Sequence, residues 1–85
     1  MDKKRIIELR GRAQALKPTI YIGKEGVTSE LVQEISRQLK KAKLVKVKLL
    51  PSVERDRKEA AAELASASSS TLIEVRGSTI VLAKD

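Results

Sequence analysis

One stretch of nine residues decides the fold of this chain: Ile20-Tyr21-Ile22-Gly23-Lys24-Glu25-Gly26-Val27-Thr28. Its first three residues favour a short strand, the next four form a turn with glycine at both ends, and Thr28 suits the N-cap of a helix. Glycine is favoured where a backbone turns tightly or approaches a ligand closely, because it lacks a Cβ and tolerates positive φ. The stretch therefore predicts a strand, a glycine-bounded turn and a helix start.

The predicted turn opens onto a helix N-terminus, where the first backbone N–H groups have no intrahelical partners. These N–H groups and the helix dipole together favour a bound phosphate. A Gly-x-x-Gly turn between a strand and a helix is also the element with which KH-type modules clamp nucleotide backbones. A plainer interpretation is a turn that only joins a strand to a helix. The turn alone does not separate the two, so the rest of the chain must decide.

Apolar periodicity and capping residues predict the remaining elements. Three helices are expected, from about Asp2 to Leu16, from Thr28 to about Lys41, and from Ser52 to about Ala67. The i,i+4 pairs Glu54–Lys58 and Arg55–Glu59 support the third helix. Four strands are expected at Thr19–Ile22, Leu44–Leu50, Thr71–Arg76 and Thr79–Ala83, the second of them buried on one side only. Gly77-Ser78 predicts a type II′ turn between the last two strands.

The order α-β-α-β-α-β-β indicates the fold class. Two strand–helix–strand passages favour parallel pairing through right-handed crossovers, and the closing hairpin adds an antiparallel strand. With 85 residues there is room for one domain only. We therefore expect residues 1–85 to form a single two-layer α/β domain with a mixed four-stranded sheet.

Charge is the second strong signal. Eighteen Lys and Arg residues against eleven Asp and Glu residues give a net charge of +7. Residues 1–48 hold thirteen of the basic and five of the acidic residues, so the excess lies in the first half. A one-sided positive field attracts polyanions, of which nucleic acid is the commonest and an anionic membrane surface the main rival.

Composition argues against several classes of function. The chain contains no Cys and no His, which excludes disulfides and thiolate metal sites and leaves no nucleophile–base pair typical of an enzyme. Its apolar runs are far shorter than the roughly 20 residues that span a bilayer, and its charged N-terminus lacks the apolar segment of a signal peptide. The expectation is a cytoplasmic binding domain that uses no metal, cofactor or small-molecule substrate.

With its elements in order, the chain resembles the CRM domain, the family that includes the bacterial YhbY proteins. The resemblance covers nearly the whole chain, and it is carried by four segments: Leu16-Lys17-Pro18, Ile22–Thr28, Leu44–Lys48 and Val75–Leu82. It implies a fold similar to that of the C-terminal domain of translation initiation factor 3, with strand order 1-2-4-3. It also implies RNA binding through the Gly-x-x-Gly loop and the adjoining basic surface. Stand-alone members of this family are linked to precursors of the large ribosomal subunit.

The expected function is recognition of an RNA backbone, with ribosomal RNA or a ribosome precursor as the partner. Loop amides and the N-terminus of the second helix would hold phosphates, and basic side chains would supply charge. The expected RNA-binding residues are Gly23, Lys24, Glu25, Gly26, Thr28, Lys17, Arg10 and Arg12. Glu25 is unusual in a loop that is expected to bind phosphate, because its negative charge repels the phosphate.

Three other classes of function are less well supported by the sequence than RNA binding. A dimeric, Alba-like chromatin protein would share the fold and the basic character, and would prefer duplex DNA. A membrane-surface or protein adaptor would need bulky interfacial aromatic residues, but Tyr21 is the only aromatic residue in the chain. For the same reason, stacking of successive bases on several rings is not available, so affinity should depend on salt-sensitive contacts. An enzyme is the least favoured class.

Overall fold

The computed structural model describes residues 1–53 and 55–84. Within them, the elements are α1 (Lys3–Gln14), β1 (Ile20–Ile22), α2 (Ser29–Ala42), β2 (Leu44–Leu49), α3 (Arg57–Ala67), β3 (Thr71–Arg76) and β4 (Thr79–Ala83). This is the predicted order. Asp2 and Thr28 are the N-caps of α1 and α2, as predicted, and their side chains accept hydrogen bonds from Arg5 N and Leu31 N.

The four strands form one mixed sheet in the order β1-β2-β4-β3, which confirms the predicted topology. β1 pairs with β2 in parallel, whereas β4 pairs antiparallel with both β2 and β3. Gly77 has a positive φ of 56° in the turn between β3 and β4, as the first central residue of a type II′ turn requires.

The main core lies between one face of the sheet and helices α2 and α3. Ile35 and Leu39 of α2 and Leu64 of α3 are completely buried there. They pack on the alternate residues of β2 and β4 that face them, including Val47 and Ile80. Ala60 and Ala61 are also buried, and their small side chains let α3 lie close to the sheet. This packing matches the two layers expected from the sequence.

The opposite face of the sheet is partly covered by a helix, which corrects the prediction that the domain has only two layers. α1 lies across it, and Leu9 and Ala13 pack there against residues of three strands: Leu44, Ile73, Val81 and Ala83. β2 is therefore not buried on one side only. The reason is visible in β4, which is apolar on both faces, a pattern typical of a strand covered from both sides. α1 thus forms a partial third layer.

α3 begins later than predicted. Its N-cap is Asp56, whose carboxylate accepts hydrogen bonds from Lys58 N at 2.7 Å and Glu59 N at 3.2 Å. Ser52 instead lies in a turn closed by a hydrogen bond from Val53 N to Leu50 O at 3.0 Å. The Asp56 carboxylate satisfies two of the first N–H groups of α3, and the N-cap lies four residues beyond the predicted one.

The late start also changes the expected ion pairs. Arg55 precedes the helix, so it is not one turn from Glu59 and instead pairs with Glu63 at 2.7 Å. The predicted Glu54–Lys58 pair involves Glu54, which lies outside the described residues.

The covering role of α1 predicts a contrast between two neighbouring residues. Leu9 is 1% exposed and Ile7 is 55% exposed. Leu9→Ala should destabilise the protein by about 2–5 kcal/mol because it removes buried methyl groups beneath α1. Ile7→Ala should change the free energy of unfolding by no more than about 0.5 kcal/mol. Urea unfolding followed by circular dichroism measures both, and equal effects would mean that α1 is not packed on the sheet as described.

Candidate nucleic-acid interface

The Gly-x-x-Gly loop is a β-turn that links β1 to α2. Gly26 N donates a hydrogen bond to Gly23 O at 3.0 Å, which leaves Lys24 and Glu25 at the two central positions with their side chains exposed. Gly26 has a φ of 73°, so a residue with a Cβ would be strained there. A Cβ on Gly23 would instead make an ordinary contact with Leu50 Cδ1 at 3.6 Å. Only the second glycine is therefore required by the conformation of the loop.

The backbone amides of this loop are not equally available to a ligand. The N–H of Gly26 is used within the turn. Among the described residues, no acceptor is bonded to the N–H groups of Lys24, Glu25 or Val27. The hydroxyl of Thr28 caps α2 by accepting from Leu31 N at 3.2 Å, so this residue positions the helix start. Loop and helix start thus offer N–H donors that are bonded to no described acceptor, and such an arrangement suits anions.

A groove of about 760 Å³ lies beside the loop. One wall is residues 23–27, and the other is formed by Ser52, Val53, Arg55 and Glu63. Lys24 and Arg55 supply positive charge to this groove, whereas Glu25 and Glu63 supply negative charge. The groove exists because β1 and β2 are parallel, so the segments that follow their carboxyl ends meet at one end of the sheet.

Arg12 and Lys17 lie elsewhere. They line a second cavity of about 310 Å³ with residues from the C-terminal half of α2 and the start of β2, among them Gln38 and Leu44. The Gly-x-x-Gly loop is at the opposite end of both β1 and α2. Lys46 also borders this cavity, and its Nζ donates to the carbonyls of Ala13 and Leu16 at 3.2 Å each, so it closes the C-terminus of α1.

Arg10 belongs to neither of these surfaces. Its guanidinium donates to Ile73 O at 3.5 Å and lies 3.7 Å from the carboxylate of Glu74. Both partners are in β3, the strand at the edge of the sheet opposite β1. The eight expected residues are thus divided: Gly23, Lys24, Glu25, Gly26 and Thr28 lie together, Arg12 and Lys17 form a second surface, and Arg10 is bound to β3.

Several cations near the loop were not expected from the sequence. Arg55 lines the loop groove, and a neighbouring cavity of about 440 Å³ is lined by Arg55, Arg57 and Lys48. Arg57 Nη1 also donates to Gly77 O at 2.6 Å, which ties α3 to the hairpin turn. The predicted parallel pairing of β1 and β2 is the signal that could have located these residues. It places the segment that follows β2 beside the loop that follows β1.

Neither a metal centre nor a membrane span is found in the part of the chain that the structure describes. No group of three or more Asp and Glu side chains there is arranged to hold an ion. None of its helices is both long enough and apolar enough to cross a bilayer. The loop groove combines side chains of both charges with backbone donors that are bonded to no described acceptor.

Comparison with known proteins identifies the family of the chain. A family model described as the CRS1 / YhbY (CRM) domain matches residues 1–84. The chain belongs to this family. The CRM domain is 36% identical over 77 residues to "Probable RNA-binding protein YqeI" of Bacillus subtilis, covering 91% of this chain and 80% of YqeI. It is 37% identical over 76 residues to "Probable RNA-binding protein MJ0652" of Methanocaldococcus jannaschii, covering 87% of this chain and 56% of MJ0652.

The CRM domain is also similar to a solved structure. The solution structure of the hypothetical protein SAV1595 from Staphylococcus aureus matches it with a TM-score of 0.84 at 33% sequence identity. The match covers 100% of this chain and 88% of SAV1595. The whole CRM domain, including the loop and α1, is therefore part of the shared fold.

The loop geometry predicts unequal tolerance of alanine. Gly26→Ala should destabilise the CRM domain by about 1 kcal/mol or more, because alanine must adopt a positive φ. Gly11→Ala, in α1 and with no described atom near its added Cβ, should stabilise it by about 0.5–1 kcal/mol. Gly23→Ala should change little, since its Cβ has room. Urea midpoints compare the three variants, and a Gly26→Ala protein as stable as Gly11→Ala would show that positive φ is not required.

Proposed function

We propose that this CRM domain binds RNA by its phosphate backbone, in the groove between the Gly-x-x-Gly loop and the segment that follows β2. The proposal rests on one observation, which is that backbone donors, cations and a helix N-terminus occur together in this groove. Loop residues whose N–H groups are bonded to no described acceptor line the same groove as Lys24 and Arg55, beside the N-terminus of α2. Backbone donors, cations and a helix N-terminus are the three elements that proteins use for phosphate.

Two further facts support RNA as the ligand. The net charge of +7 favours a polyanion over a small anion, because a long polyanion interacts with the whole field of the domain. Two relatives that share more than a third of their aligned residues with this chain are named as RNA-binding proteins. Both names favour RNA over duplex DNA, the ligand of the Alba-like alternative.

The residues of the proposed site have different roles. Gly23 lets the backbone approach a phosphate, Gly26 sets the turn, Lys24 supplies charge and Thr28 holds the first turn of α2. Glu25, exposed at the loop tip, weakens phosphate binding and limits affinity. Arg12 and Lys17 form an outer contact. α2 has 14 residues and is therefore about 21 Å long, so an RNA that reaches both surfaces must follow this helix.

The proposed partner is ribosomal RNA or a ribosome precursor in the cytoplasm, as the resemblance to stand-alone family members suggests. The proposed role is binding without catalysis. Its support is the composition, since the chain has neither His nor Cys to serve as a base or a thiol nucleophile.

Salt dependence tests the proposal through one matched pair of lysines. Three to five neutralised phosphates would give a slope of log K against log salt of roughly −2 to −3.5 for single-stranded RNA. Lys24→Gln should make this slope shallower by about 0.7, one phosphate's share. Lys4→Gln is the control, because Lys4 is exposed in the first turn of α1 and lines neither the loop groove nor the cavity of Arg12 and Lys17.

Fluorescence anisotropy of a labelled single-stranded RNA, measured across a salt series, gives each slope. If Lys24→Gln leaves the slope unchanged and Lys17→Gln reduces it, the site lies on the second surface and the loop is excluded. A slope near zero for the unaltered protein would contradict the electrostatic mechanism altogether.

A further inference from the structure

One end of the sheet remains uncovered on the face where α1 packs. Strand register places four residues in a row across this end: Tyr21 is opposite Lys48, Lys48 is opposite Thr79, and Thr79 is opposite Arg76. Residues directly opposite one another project from the same face of a sheet. None of the four belongs to the cluster that α1 buries. We refer to them as the Tyr21 row.

The Tyr21 row is exposed and positively charged. Tyr21 is 55% exposed, and the side chains of Lys48 and Arg76 are also exposed. No acidic residue lies within the row. The nearest acid on this face of β3 is Glu74, whose carboxylate lies 3.7 Å from Arg10 and is therefore already balanced by a cation. An aromatic ring with two cations on one side of it is complementary to a nucleobase and the phosphates that follow it.

The row is continuous with the groove beside the Gly-x-x-Gly loop. Lys48 lines the cavity of about 440 Å³ that also contains Arg55, and Arg55 lines the loop groove. Tyr21 lies in β1, two residues before the loop begins. With strands about 4.8 Å apart, the row is roughly 14 Å wide, which equals the rise of about four stacked nucleotides. A strand held at the loop can therefore extend directly onto this row.

We propose that the Tyr21 row is a second RNA contact, on which one nucleobase stacks against the ring of Tyr21 while neighbouring phosphates pair with Lys48 and Arg76. The inference rests on the proposed function but concerns a different surface and a different interaction. The loop groove would hold backbone only, and the row would add contact with a base. Such a contact restricts the ligand to RNA with an unpaired nucleotide, because a base within a duplex cannot expose its face to the ring.

The composition of the chain provides a direct readout. Tyr21 is the only tyrosine and the chain has no tryptophan, so all aromatic emission from the protein reports on this one ring. Two probes separate base contact from phosphate contact: a short single-stranded oligoadenylate and an abasic ribose-phosphate oligomer of the same length. Anisotropy of a dye on each probe measures binding independently of the emission. The same oligomers added to free tyrosine amide correct for absorbed light.

Oligoadenylate should quench Tyr21 emission in parallel with the rise in anisotropy, whereas the abasic oligomer should bind without quenching. Tyr21→Thr should weaken oligoadenylate binding by about 5- to 100-fold and leave abasic binding unchanged. Tyr21→Phe should keep the affinity of the unaltered protein, since the ring remains. Both substitutions are at an exposed position of a strand and suit β structure, so circular dichroism should show the fold intact.

Other outcomes overturn the inference in distinguishable ways. Oligoadenylate that binds without quenching, and equally well to Tyr21→Thr, would leave the proposed function standing and remove the Tyr21 row from the site. Absence of binding by either oligomer would overturn the proposed function as well. Emission that is already quenched in the protein alone, and rises on dilution, would show that a second copy of the chain covers this face.

Discussion

The parallel pairing of β1 with β2 is the constraint on which the rest of this structure depends. In this pairing Ile20 is opposite Val47 and Ile22 is opposite Leu49. Because the two strands run in the same direction, their carboxyl ends lie at the same end of the sheet. The Gly-x-x-Gly loop and the segment before α3 therefore face each other across one groove. The same pairing sets the N-termini of α2 and α3 at this end of the sheet, where their dipoles favour negative charge. Antiparallel pairing would have separated the loop from Arg55.

The described residues of the groove include two cations and two acids. Lys24 is followed by Glu25, and Arg55 is paired with Glu63, whose side chain is 46% exposed. Ion pairs between exposed groups contribute only about 0–1 kcal/mol, so a phosphate can replace Glu63 as the partner of Arg55 at little cost. Under the proposed function, this mixture of charges favours a polyanion, which also reaches other cations, over a small anion. It also explains how a groove with two acids can serve an anionic ligand.

The sequence was sufficient to predict the order of elements, the mixed sheet, the hairpin turn and the caps at Asp2 and Thr28, because each rests on local chemistry. It was not sufficient to predict that α1 covers the second face of the sheet, which depends on β4 being apolar on both sides. It also misplaced the start of α3, since Ser52 and Asp56 are both good caps and local pattern does not distinguish them. The same limit applies to the site. The loop is contiguous in sequence, so its residues were found together. Arg10 and Arg12 are associated with it only by their charge, and Lys17 by its charge and by the resemblance at Leu16-Lys17-Pro18. The fold separates all three from the loop.

Amide chemical shifts in the presence of RNA test the central claim most directly, because each backbone N–H reports its own surroundings. A ¹⁵N-labelled sample titrated with a short single-stranded RNA should show its largest shifts at residues 24–30, where loop and helix donors meet the phosphates, with further changes around Arg55. Residues near Gln38 and Ala42, at the other end of α2, should shift less. Shifts confined to that far end, with the loop amides unmoved, would contradict the account and place the RNA on the surface of Arg12 and Lys17.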